Sequence, residues 1–181
     1  MDYERQGDDQ YINQILHGNC EKLLRTLPPE SVDLIVTSPP YADNRKLAGA
    51  YQGVPIDGYV DWFRPIGKEL YRVLKPRGSF ILNIKEQAVK GERQVYVLEL
   101  ILALREQGWY WIEEYIWHKR NSYPGKWTNR FRDAWERCLH FTKTPKPSGF
   151  DMYQDNVMVP VGEWAKTRLK NLSATDRTRD E

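Results

Sequence analysis

The run Val32-Asp33-Leu34-Ile35-Val36-Thr37 passes directly into Ser38-Pro39-Pro40-Tyr41, and this junction decides how the chain is read. A continuous, β-branched apolar run bounded by polar residues and prolines predicts a buried strand of a parallel sheet, because such strands are covered on both faces. In open α/β sheets ligands bind beyond the carboxyl ends of the strands, so Ser38 to Tyr41 falls where a reacting centre belongs. Successive prolines fix φ and remove two amide donors, leaving carbonyls held in one orientation. A serine hydroxyl and a fixed proline carbonyl can together accept both hydrogens of a planar exocyclic amine, while Tyr41 offers a face on which a base can stack. An aromatic amine is a poor nucleophile because its lone pair is delocalised into the ring. Acceptors that bias the nitrogen toward tetrahedral geometry localise that pair for attack on a methyl donor.

Outward from this junction the chain alternates strand and helix patterns. Residues 11–16 alternate loosely like a strand, and 21–27 have the spacing of a short amphipathic helix stopped by Pro28-Pro29. Residues 59–74 place Val60, Phe63, Ile66 or Gly67, Leu70 and Leu74 near one helical face, interrupted by Pro65. Ser79 to Ile84 reads as a second buried strand. Val95 to Gln107 reads as a helix with Val95, Leu98, Ile101 or Leu102 and Leu104 inward, capped by Gly108. Residues 109–117 and 137–142 read as two further strands. The alternation predicts an α/β fold whose sheet is mostly parallel with an antiparallel edge. Residues 1–147 form the main region, and 148–181 form a polar extension.

With 181 residues, 40% hydrophobic and 29% charged, the chain suits one folded domain rather than a disordered segment. No apolar run approaches the ~18 residues needed to cross a bilayer, and the first ten residues are too polar for a signal peptide, so a cytoplasmic setting without a membrane is expected. Cys20 and Cys138 are too few for a disulfide framework, and no metal-ligand spacing is present. The net charge of +2 conceals an asymmetry: residues 118–147 carry net +6 and the rest net −4. In that segment Lys119, Arg120, Lys126, Arg130 and Arg132 are interleaved with Trp117, Tyr123, Trp127, Phe131 and Trp135, the charge and flat faces that a nucleic-acid surface needs. These five cations are the candidate DNA-binding residues.

Three stretches carry a family resemblance. His17-Gly18-Asn19-Cys20 followed by the run from Leu27 to Tyr41, then Trp62 through Arg72 to Ser79, then Glu114 to Lys119, Arg130-Phe131 and Glu136 to Lys143, together resemble the catalytic half of an amino-methylating DNA methyltransferase of the permuted β class. The resemblance covers about residues 12 to 147 in the family's order. It implies a Rossmann-like methyltransferase sheet, present in part, with S-adenosylmethionine as donor and double-stranded DNA as substrate. The catalytic residues it implies are Ser38, Pro39, Pro40 and Tyr41; the donor-binding residues are Asn19, Thr37 and Ser38. Serine at the head of the tetrapeptide mostly accompanies cytosine N4 methylation in this family, and aspartate adenine N6 methylation, so N4 is expected and N6 kept as the alternative. C5 methylation needs a cysteine typically preceded by proline; Cys20 follows Asn19 and Cys138 follows Arg137.

The departures carry their own expectations. Asn19 stands where the family has an acidic residue near the adenosyl group. No two of the 12 glycines are two positions apart, so no Gly-x-Gly donor loop is present. A complementing polypeptide or a further C-terminal segment is therefore expected to supply that loop, with 148–181 as the possible start of a target-recognition region. An inactive DNA-binding or complementing subunit is the alternative reading. Asn83 and Lys85 are expected at a solvated strand end, or else lining the pocket. His17, His118 and His140 read as surface or turn histidines, and Glu113-Glu114 as a polar strand face.

Overall fold

The computed structural model describes residues 11–42, 53–121, 129 and 131–173. In chain order these form helix α1 (Cys20–Leu24), strand β1 (Val32–Thr37), helix α2 (Tyr59–Val73), strand β2 (Leu74–Ile84), the short strands β3 (Ala88–Val89) and β4 (Glu92–Arg93), helix α3 (Tyr96–Glu106), strands β5 (Tyr110–His118) and β6 (Trp135–Thr142), and helix α4 (Glu163–Lys170). The main sheet has the order β1-β2-β6-β5. Its β1/β2 pair is parallel, and the β2/β6 and β6/β5 pairs are antiparallel. The α/β Rossmann-like architecture is as expected, although among the described strands of the main sheet antiparallel pairs outnumber parallel ones two to one, where a mostly parallel sheet was expected. Strands β3 and β4 make a separate antiparallel pair.

Helices α2 and α3 cover one face of this sheet. From β2 and β6 that face receives Phe80, Leu82, Ile84, Leu139 and Phe141, all fully buried with Phe63, Leu70, Leu100, Leu104 and Trp109. Trp109 closes the layer edge-on to Tyr71 at 5.0 Å and tilted against Phe80 at 5.0 Å, and Phe80 stacks on Phe141 at 5.7 Å. Each such aromatic adds about 0.5–1.5 kcal/mol of pairing beyond the area it buries. Gly78 lets β1 and β2 approach: a Cβ there would lie 2.8 Å from the Asp33 carbonyl oxygen and 2.7 Å from Leu74.

Several expectations need correction. Residues 11–16 are not a strand; Asn13 takes φ +57°, which breaks an extended run, and the Tyr11 hydroxyl donates to the Thr26 carbonyl. Helix α2 runs through Pro65, which is exposed, so solvent can serve the carbonyl its missing N–H leaves. Helix α3 buries Tyr96, Val97, Leu100, Ile101, Ala103 and Leu104, while Val95, Leu98 and Leu102 face outward. The helix is apolar on most sides, so periodicity alone left its phase open. Strand β1 is not buried on both faces. It pairs only with β2 among the described strands, and Leu34 and Val36 are 57% and 66% exposed.

The chain divides into two compact units, Met1–Asp151 and Met152–Glu181. The second holds a 3-10 turn at Gln154–Val157 and α4, where the Arg168 guanidinium lies over the Trp164 ring at 5.5 Å. Among the described residues no helix is long and apolar enough to cross a membrane.

Candidate active site

The register of the sheet brings four segments to one edge. Thr37 pairs with Leu82, which sets Ser38 just beyond β1 beside Asn83 near the end of β2. Because β6 runs antiparallel to β2, the start of β6 lies at that same edge, with Asn83 opposite Cys138. Strand β5 runs antiparallel to β6, so its end arrives there too, His118 opposite Trp135 and Lys119 donating its amide to the Ala134 carbonyl at 2.7 Å.

Ser38 is exposed at the strand end, and Pro39 and Tyr41 are half-buried. The Pro40 carbonyl accepts a hydrogen bond from the Tyr59 hydroxyl at 2.8 Å, so the proline pair is tied to the start of α2. Tyr59 is itself fully buried against Tyr96, ring centroids 4.8 Å apart. The turn after β1 is therefore held by the helical layer on one side.

On the other side it is held through the Tyr41 hydroxyl. Tyr41 Oη lies 2.9 Å from Glu136 Oε2 and 3.2 Å from Asn83 Oδ1. The Asn83 amide is oriented by its own donation to the Arg137 carbonyl at 3.0 Å, which turns its oxygen toward Tyr41. Glu136 Oε1 accepts from Lys119 Nζ. Burial pushes the Tyr41 hydroxyl up to about 12; a hydrogen bond with Ser38 works downward, and the hydrogen bond and charge of Glu136 add to the rise. For Glu136, burial acts upward but is outweighed by hydrogen bonds from Lys119 and Tyr41, the Lys119 charge and the Asn83 amide, and the carboxyl is held below its ordinary value. Glu136 is thus the ionised acceptor that keeps the Tyr41 proton in place.

Asn83 and Lys85 are both buried, contrary to the solvated strand end expected of them. Lys85 Nζ donates to the Trp135 carbonyl, lies 4.5 Å over the Trp135 ring and pairs with Asp133 at 3.2 Å; Asp133 also pairs with Arg93 at 2.6 Å. These interactions fasten the far end of the basic segment to β2. His140 is not a surface residue either. It is 4% exposed, with Nε2 2.9 Å from Ser79 Oγ, Nδ1 3.4 Å from the Tyr115 hydroxyl and Phe150 edge-on. Burial lowers its pKa, so it is neutral at pH 7.

The candidate residues therefore divide. Thr37, Ser38, Pro39, Pro40 and Tyr41 are continuous at the strand end. Asn19 caps the five-residue α1, its side-chain oxygen accepting from the Lys22 amide at 3.2 Å. Lys119 is engaged with Glu136, while Arg120 and Arg132 are exposed. Lys126 and Arg130, like Tyr123 and Trp127, lie outside the described residues. Glu136 is a site residue that local reading did not single out. Its signal was there: only it and Asp133 oppose eight cations in residues 118–147, and both are ion-pair partners, Glu136 of Lys119 and Asp133 of Lys85 and Arg93.

Against known proteins, residues 32–180 match the family model described as DNA methylase, for enzymes of the N6/N4 type. The type II methyltransferase M.PvuII of Proteus hauseri is 34% identical over 139 residues, covering 72% of this chain and 41% of that protein. The DNA adenine methyltransferase YhdJ of Escherichia coli is 38% identical over 73 residues, 40% of this chain and 25% of that protein. Among solved structures, the PvuII DNA methyltransferase described as cytosine-N4-specific superposes with a TM-score of 0.61 at 28% identity, covering 87% of this chain and 62% of that one. The chain thus spans less than two thirds of the relatives it matches. Its family match covers most of its length and includes the strand end at Ser38, and the chain belongs to the N6/N4 DNA methylase family.

Proposed function

We propose that this chain is the base-holding part of a DNA amino-methyltransferase that modifies the exocyclic amine of a flipped base, with cytosine N4 as the favoured target. The observation that carries the reading is the turn 38–41: an exposed serine hydroxyl beside a proline pair and a tyrosine ring fixed by hydrogen bonds on both sides. Tyr59 already donates to the Pro40 carbonyl, which favours the Pro39 carbonyl as the second acceptor. Ser38 Oγ and the Pro39 carbonyl then accept the two amine hydrogens and draw the nitrogen lone pair out of conjugation. The Tyr41 ring stacks on the extruded base. Similarity to a structure described as cytosine-N4-specific, and the serine at position 38, favour N4; similarity to an adenine methyltransferase over a shorter stretch keeps N6 as the second reading. Arg120, Lys126, Arg130 and Arg132 are assigned to phosphates of double-stranded DNA, and 148–181 to the start of target recognition.

S-adenosylmethionine is the donor implied, supplying an electrophilic methyl group. The residues of this chain fit it only in part. Thr37 and Ser38 stand at the carboxyl end of β1, but the side-chain oxygen of Asn19 is used by the α1 cap, and no glycine pair offers the close backbone approach a nucleotide-like ligand needs. A further segment or second polypeptide is assigned that loop. Among the described strands β1 is paired on one side only, by β2, which supports an added strand at its other edge.

The test is labelled-methyl transfer to duplex DNA by the assembled protein, followed by mass analysis of the digested product. N4-methylcytosine is expected, and Ser38→Ala should lower kcat by about 10²-fold or more, the scale for losing one transition-state hydrogen-bonding group. N6-methyladenine alone would replace the target base, and Ser38→Ala at the parental rate would remove Ser38 from the chemistry.

A further inference from the structure

We propose that Glu136, charged and held by Lys119, is the positioning residue of the site: it clamps the Tyr41 hydroxyl so that the ring stands ready as a stacking platform. The proposal rests on the reading of residues 38–41 as the base-holding turn, and it names the residue that keeps that turn in register with the sheet.

The geometry leaves the Tyr41 proton two acceptors, Glu136 Oε2 at 2.9 Å and Asn83 Oδ1 at 3.2 Å. A phenol has one proton to donate, and the nearer, ionised acceptor makes the stronger bond. Asn83 thus supports the clamp from the side, while Glu136 carries it. Glu136 could not be left as a half-buried carboxylate without a counter-ion; its side chain is only 14% exposed, and Lys119 supplies that charge from the end of β5. Two residues at separate strand ends, brought together only by the β5/β6 register, thereby hold one hydroxyl on a turn 95 positions earlier in the chain than Glu136. The turn has β2 on one side and no other described strand on the other. Fixing the tyrosine through its far end restrains the tilt of its ring. Small displacements of a positioning group cost rate steeply, because the reacting atoms must meet in one geometry.

The clamp also reassigns Lys119. A lysine whose ammonium is bound to Glu136 and lies 5.4 Å from the Trp117 ring centroid is committed to the site's framework, whereas the exposed Arg120 and Arg132 are open to phosphate.

Two measurements test this, one independent of methyl transfer. In the protein labelled with ¹³C in its tyrosine rings, the Tyr41 signal is identified by its loss in Tyr41→Phe. Glu136→Ala should move that signal and speed ring flipping, whereas Glu136→Gln, which keeps an acceptor oxygen in place, should leave it near the parental position. A Tyr41 signal indifferent to Glu136→Ala overturns the clamp, whatever the enzyme's activity. The second measurement is a double-mutant cycle on methyl transfer. Glu136→Ala and Tyr41→Phe should each lower kcat about tenfold or more, the scale of one hydrogen bond to a charged group. The pair together should lose little beyond either alone, and Glu136→Gln, which keeps an acceptor oxygen but not the charge, should recover part of the rate. Additive losses, or no recovery by glutamine, would make Glu136 a structural residue acting elsewhere. Absence of methyl transfer by the assembled parental protein would refute the functional reading, leaving the ring measurement to decide the clamp by itself.

Discussion

Lys119→Met separates two roles for one lysine, and the structure sets the size of each. The substitution keeps the aliphatic stem and removes the ammonium that neutralises Glu136. An exposed ion pair is worth about 0–1 kcal/mol, and stranding one partner of a fully buried pair costs about 3–5 kcal/mol. With Lys119 33% and Glu136 14% exposed, this pair falls between the limits, and a loss of about 1–3 kcal/mol is expected at neutral pH. The loss should depend on pH with a definite sign. In the parent the Glu136 carboxyl sits below its ordinary 4.5, so it contributes stability that is present above 4.5 and lost as pH falls through the folded value. Without Lys119, burial is less opposed and the carboxyl rises, so the gap between parent and variant should close as the solution is acidified. Urea unfolding at about pH 7 and about pH 4 measures the gap at both ends. The parallel assay is the slope of log DNA affinity against log salt, which falls by about 0.9 for each phosphate no longer neutralised by the protein. As a counter-ion of Glu136, Lys119 should leave the slope unchanged on replacement. A slope reduced by that amount with unchanged stability would refute the framework role and return Lys119 to the DNA surface.

Three other outcomes follow from particular residues. Replacing the exposed Arg120 and Arg132 by alanine should reduce the same salt slope by about 0.9 per phosphate while weakening binding to all sequences alike; an unchanged slope would leave both as solvated residues. Gly78→Ala drives a Cβ to 2.8 Å from the Asp33 carbonyl, so β1 must shift against β2. A loss of about 1–3 kcal/mol, with activity falling because β1 carries Ser38, should appear in unfolding and rate measurements; parental values in both would mean that the strands adjust freely. Burial lowers the His140 pKa from its ordinary 6.5, so the unfolded chain takes up a proton there that the folded chain resists. Its contribution to stability is complete above 6.5 and declines as pH drops below it. His140→Gln should flatten that decline relative to the parent in unfolding titrations, and an equal decline in both would show that His140 does not carry it.

What the sequence disclosed was local. The β-branched run 32–37, the two prolines after it and the serine and tyrosine around them sit within ten residues, and a strand ending in a fixed turn needs no distant partner to be recognised. The Tyr41 clamp was hidden because its members come from β1's turn, β2, β5 and β6, and only the pairings Asn83 with Cys138 and His118 with Trp135 bring them together. His140 shows the same limit on a smaller scale. Leu139 and Phe141 mark it as lying on the face away from the helices, but that face is covered at this point by Phe150, ten residues on. The phase of α3 failed for a different reason: with apolar residues on most of its surface, only its packing against α2 and the sheet selects the inward side.

The antiparallel end of the sheet therefore has a functional consequence. A parallel strand would deliver its carboxyl end to the site and its amino end to the far side of the domain. Because β6 is reversed, its first residues reach the edge that carries the 38–41 turn, and so do the last residues of β5 before it. Glu136 comes from the first group and Lys119 follows the second, so opposite charges meet beside the turn at residues 38–41 without any loop having to cross the sheet. The same reversal places both ends of the basic segment 119–134 at that edge, fastened by the Lys119 amide on Ala134 and by Lys85 on Asp133. On the proposed function, the exposed Arg120 and Arg132 beside these two anchors are the arginines assigned to phosphates next to the extruded base. Lys119 and Glu136, which stand at the end of one strand and the start of the next, are therefore the pair through which the proposed base-holding turn and the proposed DNA surface would be coupled.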